Sequence, residues 1–146
     1  MKYMVTPLVG MSDLKFGMAL ADVRARMSGE FRTFDERVHR DGVDLKGVLD
    51  AYDGQGICFL YSPEHELEGI SLFSPTHPIL EGVDMLTLRM SEAIAMLRKV
   101  DPTLVVDGDN ATSGRFSLGV NGSPDADDDE DALVYNFFFG RADFYP

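Results

Sequence analysis

Four turn signals dominate the middle of the chain: Asp53-Gly54-Gln55-Gly56, Pro63-Glu64-His65-Glu66, Ser74-Pro75-Thr76-His77-Pro78 and Asp107-Gly108-Asp109-Asn110. Glycine and Asp-Gly pairs supply the positive φ that tight hairpins need, and proline removes a ladder donor. The pieces between them are strand-sized. Residues 48–52, 57–62 and 67–73 read as three successive strands, and 103–106, 115–120 and 132–139 as a second set. In 57–62, Ile57, Phe59 and Tyr61 oppose Cys58 and Leu60; a run apolar on both faces is a central strand covered on both sides. In 115–120, Phe116, Leu118 and Val120 point one way and Arg115, Ser117 and Gly119 the other. The last strand reads as central too, with Leu133, Tyr135, Phe137 and Phe139 on one face.

Two helices are predicted. The first covers 19–27, where Leu20, Val23 and Met27 recur at helical spacing and Gly29 follows as a stop. The second covers 91–99. Ser91 is its expected N-cap, Glu92 suits the positive end of the dipole, and Ala93, Ile94, Leu97 and Val100 form the inward face. Asp101-Pro102 ends it. Residues 30–47 read as a short strand or irregular stretch with Phe31 and Phe34 as buried anchors, then a polar excursion through Asp41-Gly42. The two prolines of 74–78 argue against a central strand there.

The fold class is therefore α+β: an antiparallel sheet of about six or seven strands with two short helices on one face. The order helix-then-strands occurs twice. It suggests two α-β-β-β units, 12–78 and 84–146, in a single domain of 1–146. The letters around the helices, FGMALADVRAR and LRMSEAIAMLR, align Phe16 with Leu88 and Met18 with Met90.

Charge narrows the partner. The 146 residues carry a net charge of -12. Residues 1–46 sum to +1 and residues 47–146 to −13, and no Lys or Arg occurs between Lys46 and Arg89. Such a surface repels nucleic acid and anionic membranes, and speeds encounter with a basic protein. No apolar run approaches the roughly 20 residues of a membrane-spanning helix. The opening MKYMVTPLVGMSD has one Lys, an internal Pro and no small-residue cleavage site. A cytoplasmic location is the resulting expectation.

Motifs for chemistry are missing. Gly54-Gln55-Gly56 leads into a strand, so it is a turn and not a dinucleotide loop. His39, His65 and His77 share no metal-ligand spacing and read as exposed loop residues. Cys58 reads as a small side chain in a strand. Asp125-x-Asp127-x-Asp129 starts like a calcium loop but has Glu130 and Asn136 where the motif needs Gly and Glu. No metal or cofactor is expected.

The stretch FGMALADVRARM, a short helix opening an antiparallel meander, resembles the F-G-M-S-x-x-E-V-x-x-x-L-G opening of domains related to β-lactamase-inhibitor protein. That group includes tandem helix-plus-sheet inhibitors. The chain also resembles small acidic immunity proteins that accompany bacterial toxins. It departs at Ala19, where a hydroxyl residue is expected, and at Asp22, where Glu is expected. It lacks the lipidation Cys of the envelope lipoproteins in that group. The resemblance implies a binding or inhibitory role and no enzyme activity.

The expected function is a non-enzymatic inhibitor or immunity protein that neutralises a basic bacterial toxin or effector. Its partner-binding residues are Asp53, Glu64, Glu66 and Glu68, the run Asp125, Asp127, Asp128, Asp129, Glu130 and Asp131, and Phe144 and Tyr145 as aromatic contacts beside an acidic rim. The alternative is a small-ligand-binding protein or enzyme with a pocket between helices and sheet. An open sheet also permits homodimer pairing through an edge strand.

Overall fold

A computed structural model describes residues 1–123 and 132–145. It is α+β, with two helices and two sheets. The expected single sheet of six or seven strands is replaced by an eight-stranded sheet and a separate five-stranded one.

The small sheet is built from segments with no clear strand signal. Its strands are β1 (Lys2–Thr6), β2 (Gly10–Met11), β3 (Leu14–Lys15), β8 (His77–Leu80) and β9 (Val83–Asp84), in the order β3-β2-β1-β8-β9. β8 is an inner strand despite Pro78. The proline is tolerated because β9 pairs only with Ile79 and Leu80, so Pro78 has a neighbour on one side alone.

The large sheet is antiparallel throughout. One half is β4 (Arg32–Arg40), β5 (Val43–Tyr52), β6 (Ile57–Tyr61) and β7 (Leu67–Leu72). The other is β10 (Val105–Asp107), β11 (Asn110–Ser113), β12 (Leu118–Gly122) and β13 (Val134–Gly140). Each half is a meander, and their last strands, β7 and β13, pair at the centre: the order is β10-β11-β12-β13-β7-β6-β5-β4. β4 is a full strand, where the sequence suggested a short or irregular one. It has charges on both faces, so alternation could not reveal it. Its nine-residue ladder to β5 holds it, and residues 43–47 of β5 extend beyond the last β6 pair, Val48↔Tyr61. Phe31 and Phe34 are not buried anchors. They remain partly exposed under Arg24 and Arg32, whose guanidinium carbons lie 5.0 Å from the respective ring centres.

α1 (Leu20–Arg26) and α2 (Met90–Val100) each precede one meander of four strands, not three. Their anchoring repeats. Leu67 N–H donates to Met18 O, and Val134 N–H donates to Leu88 O. Leu20 N–H donates to His65 O, and Met90 N–H donates to Ala132 O. Equivalent helix positions thus differ by 70 residues, so Met18 matches Leu88 and Leu20 matches Met90. The letter alignment above is two residues out of register. A β-bulge also recurs near the start of each central strand, at Glu68 in β7 and at Tyr135 in β13. The second bulge corrects the expected alternation of 132–139: Val134 turns inward, while Leu133 and Tyr135 are exposed.

Arg89 is the N-cap of α2, displacing the expected Ser91, and the Glu92 side chain accepts from Arg89 N–H at 3.0 Å. Ala93, Ile94 and Leu97 are buried as expected, but Val100 at the helix end is exposed. Val23, Ala93 and Leu97 join Phe59, Ile70, Leu72, Val120, Phe137 and Phe139 in one apolar cluster, to which Tyr3, Val5, Met11 and Leu80 of the small sheet also belong. That cluster covers one face of the large sheet. The opposite face is crossed by the C-terminal residues.

Candidate functional site

The carboxylates nominated from the sequence occupy two places. Asp53 opens a 3-10 turn, Asp53–Gln55, between β5 and β6, and accepts from Arg32 Nε at 2.7 Å. Glu64, Glu66 and Glu68 lie at the other end of β6, on the turn to β7 and at its start. The five residues of β6, rising about 3.3 Å each, separate the two sites. Asp125, Asp127, Asp128, Asp129, Glu130 and Asp131 lie outside the described residues.

At the β6–β7 end each glutamate meets an arginine. Arg40, at the tip of β4, donates to Glu64 Oε1 at 2.9 Å and stands 3.6 Å from Glu68. Arg141, just past β13, stands 3.7 Å from Glu66 and donates to Glu68 Oε1. Glu68 is buried because its bulge turns it under this pair, and Arg141 N–H closes the junction by donating to Glu68 O at 2.9 Å. The outer pairs are solvent-exposed, and ion pairs in that setting add little to stability. Glu68, two arginines around a buried carboxylate, is the structural centre.

Phe144 is brought to the same region, and Tyr145 follows it onto the outer sheet face. The Phe144 ring lies over two glycines: a Cβ on Gly69 or Gly140 would come within 2.6 Å of it. Tyr145 N–H donates to Ser117 Oγ at 2.8 Å, and its ring centre lies 4.7 Å from that of Phe138. Burial pushes the Tyr145 phenol up to about 12. Both rings are half-buried on the sheet. Asp53 is not part of this group.

Other candidates resolve separately. His39 and His77 lie on strands, not loops, each beside an aspartate: His39 Nδ1 is 2.9 Å from Asp44 and His77 Nδ1 is 2.6 Å from Asp84. Among the described residues no group of three His, Cys, Asp or Glu side chains is placed to hold a metal. Cys58 is half-buried; burial first, then Asp53, pushes its thiol up. Between α2, the β8–β9 turn and β12 lies an apolar cleft of about 120 Å³, walled by Leu97, Phe116 and Leu118.

Two features escaped the sequence. Arg24 on α1 grips the buried Asp50 of β5. On the outer face, Asn110, Asn121 and Asn136 stand side by side on β11, β12 and β13. Separations of 11 and 15 residues carry no local signal; only the strand register aligns them. The edges of the large sheet are β4, dense in charge, and β10, three exposed residues long. Charge of this kind blunts edge pairing. Among the described residues no helix is long and apolar enough to cross a membrane.

The architecture defines an α+β protein of two helix-led meanders joined at their last strands. No protein-family model matches the chain, and no curated protein matches it. Among solved structures it is similar to the crystal structure of the uncharacterized protein yfeY from Escherichia coli, with a TM-score of 0.54 at 12% identity, covering 97% of this chain and 100% of that one. At that identity the likeness concerns the fold alone.

Proposed function

We propose that the chain is a non-enzymatic protein-binding module, an inhibitor or immunity protein that docks onto a basic toxin or effector domain. One observation supports this above others: four of the nine arginines are committed internally. Arg24 holds Asp50, Arg32 holds Asp53, Arg40 holds Glu64, and Arg141 holds Glu68. The net charge of -12 is thus carried by carboxylates without those cations to neutralise them. Six acidic residues fall within residues 125–131. Negative potential of this kind draws a cationic partner and steers its approach. In this reading the 125–131 run is the principal contact. Asp53, Glu64, Glu66 and Glu68 contribute less, because an arginine already faces each of them.

The test uses the protein encoded by the neighbouring reading frame, purified, with association followed by stopped-flow mixing. A variant carrying Asn or Gln at the six acidic positions should associate about tenfold more slowly at low salt and lose most of its salt dependence. No association by the unaltered chain, or an equal rate constant for the variant, would count against the docking role.

A further inference from the structure

On the outer face of the large sheet, strand register sets Asn110, Asn121 and Asn136 in one row, with Thr112 and Ser71 in the next. We propose that this row binds a neutral, hydroxyl-rich ligand the size of a single sugar ring. The site is independent of the acidic docking role.

The cleft measures about 280 Å³, below the usual range for drug-sized ligands. Its lining is neutral: three carboxamides, two hydroxyls and the rings of Phe138 and Tyr145. An anionic ligand would lose water here without meeting an opposite charge. A sugar hydroxyl both donates and accepts, as a carboxamide does.

The hydrogen bonds run along the row and stop one link short. Thr112 Oγ1 donates to Asn110 Oδ1 at 2.6 Å. Asn110 Nδ2 donates to Asn121 Oδ1 at 2.6 Å. Asn136 is 7% exposed, and its Oδ1 has no hydrogen-bond partner. A buried acceptor in that condition is costly, and polar groups left so call for an explanation. A small rotation of the carboxamide toward a hydroxyl in the cleft would satisfy it.

The wall is aromatic and firmly placed. The Phe138 ring lies over Gly119, where a Cβ would come within 2.5 Å of it. Tyr145 packs on Phe138, and its backbone N–H is held by Ser117 Oγ at 2.8 Å. An aromatic wall beside a row of carboxamides suits a ligand with one C–H face and one hydroxyl edge.

The experiment titrates the isotopically labelled full chain with D-glucose, D-galactose and N-acetyl-D-glucosamine, following the asparagine side-chain amide signals by NMR. At least one sugar should shift the Asn121 and Asn136 signals saturably, with a dissociation constant on the order of 1 mM. Asn121→Ala, at a half-exposed position, should weaken binding about tenfold with the remaining spectrum unchanged. Tyr145→Leu should weaken it through the lost ring. The proposal fails if no sugar gives a saturable shift. It also fails if the shifts persist undiminished in Asn121→Ala, or if acetamide or diglycine produces the same response as the best sugar.

Discussion

Arg24 and Asp50 form a two-pronged ion pair across the helix–sheet boundary: Nε to Oδ2 at 2.7 Å and Nη2 to Oδ1 at 2.8 Å, with the carboxylate wholly removed from solvent. Thr33 Oγ1 adds a third donor at 2.9 Å. α1 has seven residues and no side-chain cap. A helix that short has little stability of its own. Its attachment rests on this pair, on Val23 in the core, and on its backbone bridge to the start of β7.

Arg24→Met should therefore destabilise the protein by about 3–5 kcal/mol, because it strands a buried charge. Arg24→Met combined with Asp50→Leu should recover a large part of that loss. Urea denaturation of the single and double variants provides the measurement. A loss below about 1 kcal/mol for the single variant would show the pair to be dispensable.

Gly69→Ala and Gly140→Ala each drive a methyl group into the Phe144 ring. Each should cost about 1–3 kcal/mol. Adding Phe144→Ala to Gly69→Ala should cost less than the sum of the separate effects, since only the ring crowds that methyl; at Gly140 the Phe144 Cβ at 2.8 Å and Glu68 O at 2.9 Å would still crowd it. Thermal unfolding of the four variants and the parent settles the coupling.

Asp101 caps the end of α2 and accepts from Ser113 Oγ at 2.6 Å, Thr103 N–H at 2.9 Å and Thr103 Oγ1 at 2.5 Å. These bonds, Ser113 first, hold its carboxyl below the ordinary range. The folded pKa is below the unfolded value of about 3.9, so the contribution is present above that pH. It is lost as pH falls through the folded pKa. Ser113→Ala should flatten the decline in stability below about pH 4. Chemical denaturation at stepped pH reads this directly.

Cys58 supplies a kinetic test. Burial and the nearby Asp53 raise its thiol pKa, while Arg32 lowers it. At neutral pH the folded protein should react with a disulfide reagent about tenfold more slowly than the unfolded chain. Asp53→Asn should quicken the folded reaction, and Arg32→Ala should slow it. Equal rates for the folded and urea-unfolded forms would contradict this placement of the thiol.

The parts of the fold legible in the sequence are those with a face. Ala93, Ile94 and Leu97 marked α2, and β6 and β7 lie within a residue of their expected limits. The turns at Asp53–Gln55 and around Gly108 fall where Asp-Gly chemistry put them. Elements lacking a periodic face stayed hidden. β4 is charged on both sides, and β2, β3 and β9 are two residues long. The expected strand 115–120 began too early because Ser117 takes φ 50 in a turn, and β12 starts only at Leu118. For the site, composition located the carboxylates but not their arginine partners. Arg40 and Glu64 are 24 residues apart, and Arg141 and Glu68 are 73. Such pairs exist only once the strands are in register.

The two bulges show what a doubled plan allows. At Glu68 the kink tucks a carboxylate beneath two guanidinium groups and seals that end of the molecule. At Tyr135 the same kink throws a phenol ring outward. One copy of the device locks the chain together, which leaves its twin at liberty to change its side chain without threatening the fold.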